Sequence, residues 1–174
     1  MKSDKQTEKY RMLSWVFLVL SLLFMGMIFW FSSRDAGQSG AMSLPLAQLF
    51  HLPEWLVRKG AHMTEYAVLG VLYSGTCACR FGVPYRNCIQ KEAADMNRAG
   101  EQSDKKAEVW TDRKILLAAW SMAVCYAVTD ELHQWFVPGR SCEVRDVCVD
   151  GAGALIGCLA AAGIWKLIRR HENE

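Results

Sequence analysis

The chain has 174 residues, of which 52% are hydrophobic and 22% are charged, and its formal net charge is +2. The length is too short for two ordinary domains and the apolar content too high for a typical soluble one, so composition predicts a single membrane domain. The basic residues are spread among acidic ones, which argues against a nucleic-acid partner. The seven cysteines include no paired spacing typical of structural zinc sites.

The first apolar segment covers residues 14–31, which are eighteen residues without a charge. As a helix, this segment is close to the length that crosses about 30 Å of hydrocarbon. It ends in Phe29, Trp30 and Phe31, where a cleaved signal peptide would carry small residues, so a membrane span is favoured over a signal peptide. Residues 1–13 are predicted to form a cytoplasmic tail.

Three further segments are predicted to cross the membrane, at about residues 61–79, 115–130 and 147–168. Residues 80–114 mix charges without an apolar period and are predicted to form a hydrophilic loop. Residues 169–174 form a second short tail. The predicted fold is all-α, a polytopic four-transmembrane-helix bundle in one domain at residues 14–168.

The distribution of Lys and Arg predicts the orientation of these spans. Residues 1–13, residues 80–114 and the tail from Lys166 together carry fifteen of these residues, whereas the two other connections carry five. Because cytoplasmic segments are enriched in Lys and Arg, the N-terminus, the C-terminus and the hydrophilic loop are all predicted to be cytoplasmic.

Charged residues cluster at the predicted outer ends of three spans. Counting 1.5 Å per residue from the basic residues at the inner boundary places Glu65, Asp130 and Asp150 each on the order of 22 to 24 Å into the membrane. Three carboxylates on three spans are therefore expected at one depth, where charges are expensive and often functional. The same cluster contains Arg58, Lys59, His62, Glu131, His133, Gln134, Arg140 and Asp146.

These residues also have structural interpretations that involve no chemistry. His62 and Glu65 are spaced to form an interfacial ion pair, Arg140 lies in a turn where it can contact lipid phosphate, and Asp146 suits a helix start. The convergence of so many charges at one depth nevertheless favours a shared functional site. Small residues at Gly153 and Gly157 predict a close helix contact on the face that carries Asp150.

At these residues the sequence resembles the VanZ-like family of bacterial integral membrane proteins. The resemblance covers most of the chain apart from the N-terminal tail and the hydrophilic loop. Asp150 stands where that family commonly has Asn. The motifs that carry the resemblance are IFWFSS at residues 28–33, KGAHMTEY at 59–66, TDELHQ at 129–134 and VPGR at 137–140, followed by Asp146 and the glycine-rich fourth span.

The resemblance implies a multi-pass protein of the bacterial cytoplasmic membrane. The namesake of the family is associated with low-level resistance to teicoplanin, a lipid-tailed glycopeptide that binds cell-wall precursors outside the membrane. The implied partners are membrane lipids, an envelope lipid precursor or a lipid-tailed glycopeptide, and the predicted polar cluster faces that compartment.

The residues leave several classes of function open. An enzyme would use a catalytic set drawn from His62, Glu65, Asp130, Glu131 and His133. A divalent metal, if it is a cofactor, would be held by His62, Glu65, Asp130 and His133. Substrate or ligand binding would involve Arg58, Lys59, Gln134, Arg140, Asp146 and Asp150. A non-catalytic envelope scaffold would use the same pocket for binding alone, whereas a small proton-coupled or ion transporter would use the buried acids as a relay.

Overall fold

A computed structural model describes residues 2–82 and 112–171. Every regular element in these two ranges is a helix, which confirms the all-α prediction. The predicted hydrophilic loop at 80–114 lies largely outside the described residues, as does part of the C-terminal tail. The elements are α1 (Lys2–Ser32), α2 (Ala36–Phe50), α3 (Glu54–Cys77), a π-helical turn (Ala78–Gly82), α4 (Asp112–Gln134) and α5 (Val144–His171).

Three of these helices are long and apolar enough to cross a membrane, so the chain is a membrane protein. They are Thr7–Ser32, Asp112–Gln134 and Val144–Ile168, which contain the first, third and fourth predicted spans. The second predicted span, at 61–79, falls on α3 and the π-helical turn. The α3 helix does not meet the same criterion, because its N-terminal half is rich in charged residues.

The closest helix contact in the fold joins α3 and α5. A Cβ atom on Gly153 would overlap the carbonyl oxygen of Met63, and one on Gly157 would overlap that of Ala67. Gly70 of α3 makes an equally close approach to the α5 backbone. The pairs advance in the same direction along both helices, so α3 and α5 run parallel. The predicted small-residue contact is confirmed, and its partner is α3.

Helix α4 packs against the other helices through a stripe of alanines. Ala119, Ala123 and Ala127 recur every four residues and are fully buried, because residues at this spacing share one face of a helix. The indole nitrogen of Trp120 donates a hydrogen bond of 2.9 Å to the carbonyl oxygen of Gly151 at the start of α5. This hydrogen bond helps to fix the position of α4 along the axis of α5.

Helix α1 is joined to the bundle by tyrosine hydroxyls. The hydroxyl of Tyr126 on α4 donates to the Met25 carbonyl oxygen at 2.6 Å, and that of Tyr73 on α3 lies 3.0 Å from the Met25 sulfur. Ser21 is fully buried and donates to the Phe17 carbonyl oxygen at 2.8 Å. A hydroxyl satisfied within its own helix removes the cost of burying a polar group.

Helix α2 was not predicted from the sequence. The Asp35 side chain caps its start by accepting a hydrogen bond of 2.8 Å from the Gln38 backbone N–H. Its end is marked by His51, which has a left-handed φ of 52°, and the N–H of Leu52 donates back to the Ala47 carbonyl oxygen at 3.0 Å. This is the hydrogen bonding of a Schellman motif, with a histidine where glycine is usual.

The helix ends define one polar end of the bundle. There, Arg140 reaches the Ser32 carbonyl oxygen at the end of α1, and Glu131 near the end of α4 accepts a hydrogen bond from the start of α5. The beginning of α3 is joined to the beginning of α5 by an ion pair. Helices α1 and α4 thus run toward the polar end, whereas α3 and α5 run away from it.

Candidate functional site

A cavity of about 540 Å³ opens at the polar end, between α3, α4 and α5. We refer to it as the polar cavity, because most of its lining side chains carry a charge or a hydrogen-bonding group. Four of them are cationic and four are carboxylates. The lining residues are Trp55, Arg58, Lys59, His62, Glu131, Gln134, Gly139, Arg140, Ser141, Glu143, Arg145, Asp146, Val149 and Asp150.

The cavity brings together most of the residues singled out from the sequence. All the predicted binding residues line it, and so do two of the predicted catalytic residues, His62 and Glu131. Glu65, Asp130 and His133 do not line it. These three lie in the same part of the bundle but behind the cavity wall, so direct contact with a ligand in the cavity is not available to them in this conformation.

An ion pair crosses the cavity wall between α3 and α5. The Lys59 ammonium donates to the Asp146 carboxylate, and both side chains are partly exposed, at 26% and 33%. Asp146 lies in the first turn of α5, where a negative charge is also favoured by the helix dipole. Asp146 is therefore both an acidic residue at a helix start and a lining residue of the cavity, as the sequence suggested for each role separately.

The guanidinium of Arg140 ties the cavity to the helices around it. Its Nη2 donates to Ser39 Oγ at 2.9 Å, and its Nη1 contacts the Ser32 carbonyl oxygen at 3.5 Å. Ser39 belongs to α2 and Ser32 to the end of α1. A residue from the connection between α4 and α5 is therefore held by two elements that are distant in sequence.

Arg140 also lies in the combined field of the buried charges. Burial lowers the pKa of Arg140 and the nearby Arg58 charge lowers it further, whereas Asp130, Glu131 and Glu65 raise it. Asp130 and Glu65 therefore act on the cavity through charge, although neither side chain lines it. An arginine remains protonated under these conditions, so Arg140 presents a fixed positive charge.

Glu131 and Glu143 form a structural link across the cavity. Glu131 is only 3% exposed, and its Oε2 accepts a hydrogen bond of 3.0 Å from the backbone N–H of Glu143, just before α5 begins. Glu143 in turn accepts from Arg145 at 2.9 Å. Because one Glu131 oxygen is used to hold the start of α5, the geometry favours a positioning role for this predicted catalytic residue.

Asp130 and His133 do not line the cavity, and they lie on the face of α4 that turns away from it. Asp130 is 2% exposed and accepts a hydrogen bond of 3.1 Å from the amide of Gln134, which itself lines the cavity. The His133 ring packs on Phe29 with centroids 4.3 Å apart. Within the described residues, Asp130 Oδ1 and His133 Nδ1 are buried without a hydrogen-bond partner, an arrangement that is costly and uncommon.

His62 is the histidine that lines the cavity. Its Nδ1 lies 3.9 Å from Glu65 Oε2, so the predicted pair is present at a distance beyond a direct hydrogen bond. Arg58, one turn earlier on α3, also lines the cavity and forms no ion pair or hydrogen bond with any of the described residues. The pocket thus has one titratable ring and one uncommitted guanidinium on the same wall.

The four candidate metal ligands named from the sequence, His62, Glu65, Asp130 and His133, are not gathered around one point in this conformation. Among the described residues, no three His, Cys, Asp or Glu side chains come together in a way that would hold a metal ion. His62, Glu65, Asp130 and His133 are divided between the cavity and the region behind it, which is the physical reason.

Several residues of the site were not found from the sequence. Glu143 and Arg145 belong to the charged run around Arg140 and Asp146, so their charge was a usable signal. Trp55 precedes Arg58 by one turn, but a tryptophan at this place in the sequence indicates only a membrane interface. Ser39 carried no signal, because its role depends on α2, which the sequence pattern did not predict.

The chain is similar to a known family over most of its length. A family model described as VanZ/LLP1 matches residues 17–168, which contain the C-terminal half of α1, all of α2, α3 and α4, and α5 except for its last turn. No curated protein and no solved structure matches the chain. The match includes every residue that lines the polar cavity.

Proposed function

The chain belongs to the VanZ/LLP1 family, and on this premise we propose that it binds the anionic headgroup of a cell-envelope lipid or lipid-linked precursor in the polar cavity. The proposal places the protein in the bacterial cytoplasmic membrane as a four-span bundle with both termini in the cytoplasm. The cavity then opens at the outer face. The observation that carries the proposal is the pair of guanidinium groups at Arg58 and Arg140.

Four spans are supported by the positions of the charges on α3. Arg58, Lys59 and Glu65 all fall in its N-terminal half, whereas the stretch from Tyr66 to Cys79 has no charge. The charged half lies at the polar end, where α1 and α4 also finish. Helix α3 is therefore suited to cross with its charged half near the interface, even though its average composition is too polar for a typical span.

Two of the four cationic groups in the cavity have no carboxylate partner among the described residues, and this supports an anionic ligand. Lys59 and Arg145 are already paired with carboxylates. Arg58 has no such partner among the described residues, and Arg140 is held through neutral oxygens on Ser39 and Ser32. A phosphate in the cavity would give both guanidinium groups a charge-assisted partner, which is the strongest class of hydrogen bond available here.

A lipid is supported by the position of the cavity. It lies between helices that span the membrane and at their ends, which is the level of lipid headgroups. Trp55 both lines it and is 55% exposed, as expected for an amphipathic ring at a membrane interface. A headgroup would enter from the interface while its acyl chains stay in the bilayer.

Binding of this kind accounts for the association of the family with glycopeptide resistance. Lipid-tailed glycopeptides act on cell-wall precursors outside the membrane, the side on which we place the cavity. A protein that holds such a precursor, or the lipid anchor of the drug, would reduce the amount of drug bound to its target. Resistance would then follow from binding, without the need for the drug to be destroyed.

Binding can be measured directly by native mass spectrometry of the purified protein released from detergent micelles. The probes are phosphatidic acid, undecaprenyl phosphate and phosphatidylcholine, and inorganic phosphate tests whether the acyl chains are required. We expect the two lipids with a phosphomonoester to be retained more strongly than phosphatidylcholine. Loss of a charge-assisted hydrogen bond costs about 1.5 to 3 kcal/mol, so Arg58→Gln or Arg140→Gln should weaken binding about tenfold or more.

The matched control is Arg34→Gln. Arg34 is also near the polar end, but its guanidinium lies 4.1 Å from the centre of the Trp30 ring and it does not line the cavity. Its replacement should leave lipid retention unchanged. Equal losses in all three variants would indicate general surface attraction to anionic lipid and would refute a specific site, as would unchanged retention in both cavity variants.

Orientation needs a separate experiment in intact cells. Cys142 lies in the connection between α4 and α5 and is partly exposed. We expect it to react with an impermeant thiol reagent added outside, whereas Cys88, which is outside the described residues, should not react. The opposite result would place the cavity in the cytoplasm. A membrane lipid profile of cells with and without the protein then identifies the lipid class affected.

Lipid modification is the second candidate function, and the position of His62 favours it. His62 lines the cavity with a carboxylate 3.9 Å behind it, an arrangement that a small movement would convert into a hydrogen-bonded general base. Turnover of a retained lipid by the wild type, absent in His62→Ala that still binds the lipid, would establish catalysis. Retention without turnover supports binding alone.

A further inference from the structure

Helix α2 has its polarity reversed relative to a helix on a water-soluble protein. Its fifteen residues include no Asp, Glu, Lys or Arg. Ser43 and Ala47 are buried, at 8% and 6% exposed, and Gly40 on the same stripe abuts the Glu54 side chain. The side of α2 that faces the protein is therefore made of small side chains.

Large apolar side chains make up most of the outward face of α2, which also carries the two amide side chains of Gln38 and Gln48. The most exposed are Leu49 at 70% and Phe50 at 62%, and Met42, Leu44 and Leu46 are each about half exposed. A contiguous apolar face of this kind marks contact with a membrane or a partner. The sequence alone did not predict this apolar face, because which side of α2 is exposed depends on which side packs against α3.

The length and position of α2 exclude a further membrane crossing. At 1.5 Å per residue, a fifteen-residue helix is about 22 Å long, which is short of the roughly 30 Å hydrocarbon core. It also connects the end of α1 to the start of α3, and both of these lie at the polar end. The helix therefore lies at the boundary where the cavity opens.

We propose that α2 is an interfacial helix whose apolar face is embedded in the lipid of the leaflet at the polar end. The occupant of this face is lipid because the helix ends that α2 connects also expose large apolar side chains, such as Phe29 of α1 and Leu56 of α3. Trp30 near the end of α1 is 52% exposed and Trp55 at the start of α3 is 55% exposed, so the helix lies between two aromatic side chains of the kind that mark a membrane interface. Because α2 has no charged residue, embedding it in the leaflet does not require a charged side chain to enter the hydrocarbon.

The helix also has a direct connection to the polar cavity. Ser39, in its first turn, accepts the hydrogen bond from Arg140 Nη2, and Arg140 lines the cavity. The bilayer thus holds α2, and α2 holds one of the cationic groups of the cavity. The placement of α2 in lipid does not depend on which ligand the cavity binds, or on whether it binds one.

The test is photo-crosslinking of the full chain in vesicles of phosphatidylethanolamine and phosphatidylglycerol. The photoreactive residue p-benzoyl-phenylalanine is introduced at Phe50, where it replaces one aromatic ring by another, and separately at Leu46, one turn earlier. After irradiation, intact-protein mass spectrometry measures the fraction that carries a phospholipid. Phe50 is 62% exposed, so the larger ring does not disturb the core, and each variant is checked for a monodisperse elution profile.

Two positions on α1 calibrate the result. Leu23 is 67% exposed within a membrane-spanning helix and gives the yield for full lipid contact. Lys5 is exposed and precedes the span that begins at Thr7, so it gives the yield for water. We expect Phe50 and Leu46 to give yields close to that of Leu23 and several-fold above that of Lys5. Yields at the level of Lys5 would overturn the proposal, and so would covalent dimers in place of lipid adducts, which would identify a second copy as the occupant.

Discussion

A single added methyl group on α5 should separate two helices of the bundle. In Gly157→Ala, the new Cβ would lie 2.7 Å from the carbonyl carbon and 3.0 Å from the Cα of Ala67, and it would overlap the carbonyl oxygen. These are backbone atoms, so no side-chain rotation relieves the overlap. Either α3 or α5 must move, and the contacts along their whole interface are weakened.

The magnitude follows from two opposing effects. Overpacking of a well-packed interface costs about 1 to 3 kcal/mol. A clash with backbone atoms should cost close to the upper value of this range, because no side chain can rotate to relieve it. Replacing a helical glycine where space is available stabilises by about 0.5 to 1 kcal/mol. A methyl group on Gly163 of the same helix would have no heavy atom of a neighbouring element within 4 Å, so Gly163→Ala should show only the second effect. Both variants gain the same helix-propensity stabilisation, so they should differ by the overpacking cost alone, which is about 3 kcal/mol at its upper end.

The free energy of unfolding can be measured by titrating the purified protein with SDS in mixed micelles and following far-ultraviolet circular dichroism. Gly151→Ala provides an intermediate case, because its Cβ would lie 3.4 Å from a methyl group of Val124, which is a side chain able to shift. The expected order of stability is Gly163→Ala, then Gly151→Ala, then Gly157→Ala. If Gly157→Ala falls within about 0.5 kcal/mol of Gly163→Ala, the ordinary range for a surface change, the α3–α5 contact is not tight.

Two further predictions use the same measurements. Tyr126→Phe removes a hydrogen bond of 2.6 Å to the Met25 carbonyl oxygen and should lower the free energy of unfolding by about 1 kcal/mol. Tyr73→Phe removes only a contact with the Met25 sulfur and should cost less, so equal losses would contradict this ranking. Asp146→Asn should change stability by less than about 1 kcal/mol, because the pair with Lys59 is partly exposed. It should nevertheless increase retention of lipid phosphate, since it releases the Lys59 ammonium, and decreased retention would contradict a cationic role for Lys59.

Much of the fold was predictable because apolar length is a strong signal. Spans at 14–31, 115–130 and 147–168 lie within helices that are long enough to cross a membrane, and the pattern at Gly153 and Gly157 predicted a close contact that α3 supplies. The helix bounds were less accurate. Helix α4 begins at Asp112 and ends at Gln134, because a helix continues through charged residues as long as its backbone hydrogen bonds are made.

Helix α2 shows what the sequence did not reveal. Its residues contain Pro45 and two glycines, which are signals of a loop. The helix forms because its start is capped by Asp35, its end is closed by the Schellman hydrogen bond, and its small-residue face is buried against the rest of the protein. None of these contributions is visible as an apolar period, since both the small face and the large face are uncharged.

The depth of a residue along a membrane helix can be predicted by counting, but its direction around the helix axis cannot. Each residue rises 1.5 Å, and successive residues turn by about 100°. Asp130 and Glu131 therefore have nearly the same depth, yet Glu131 lines the polar cavity and Asp130 does not. Which face meets a ligand is decided by the neighbouring helices, and in this chain those contacts come from distant segments.

The division between the cavity and the region behind it changes what the buried acids can do. Asp130 influences the cavity indirectly in two ways. It accepts a hydrogen bond from Gln134, which lines the cavity, and its negative charge raises the pKa of Arg140. Glu65 lies beside His62, and its negative charge also raises the pKa of Arg140. The two acids thus act on groups that can touch a ligand: Asp130 orients the Gln134 amide, and both acids lie in the electrostatic surroundings of Arg140. A phosphate entering the cavity would meet Arg58, Arg140 and His62 first, and the acids behind them would offset the repulsion between the two guanidinium groups.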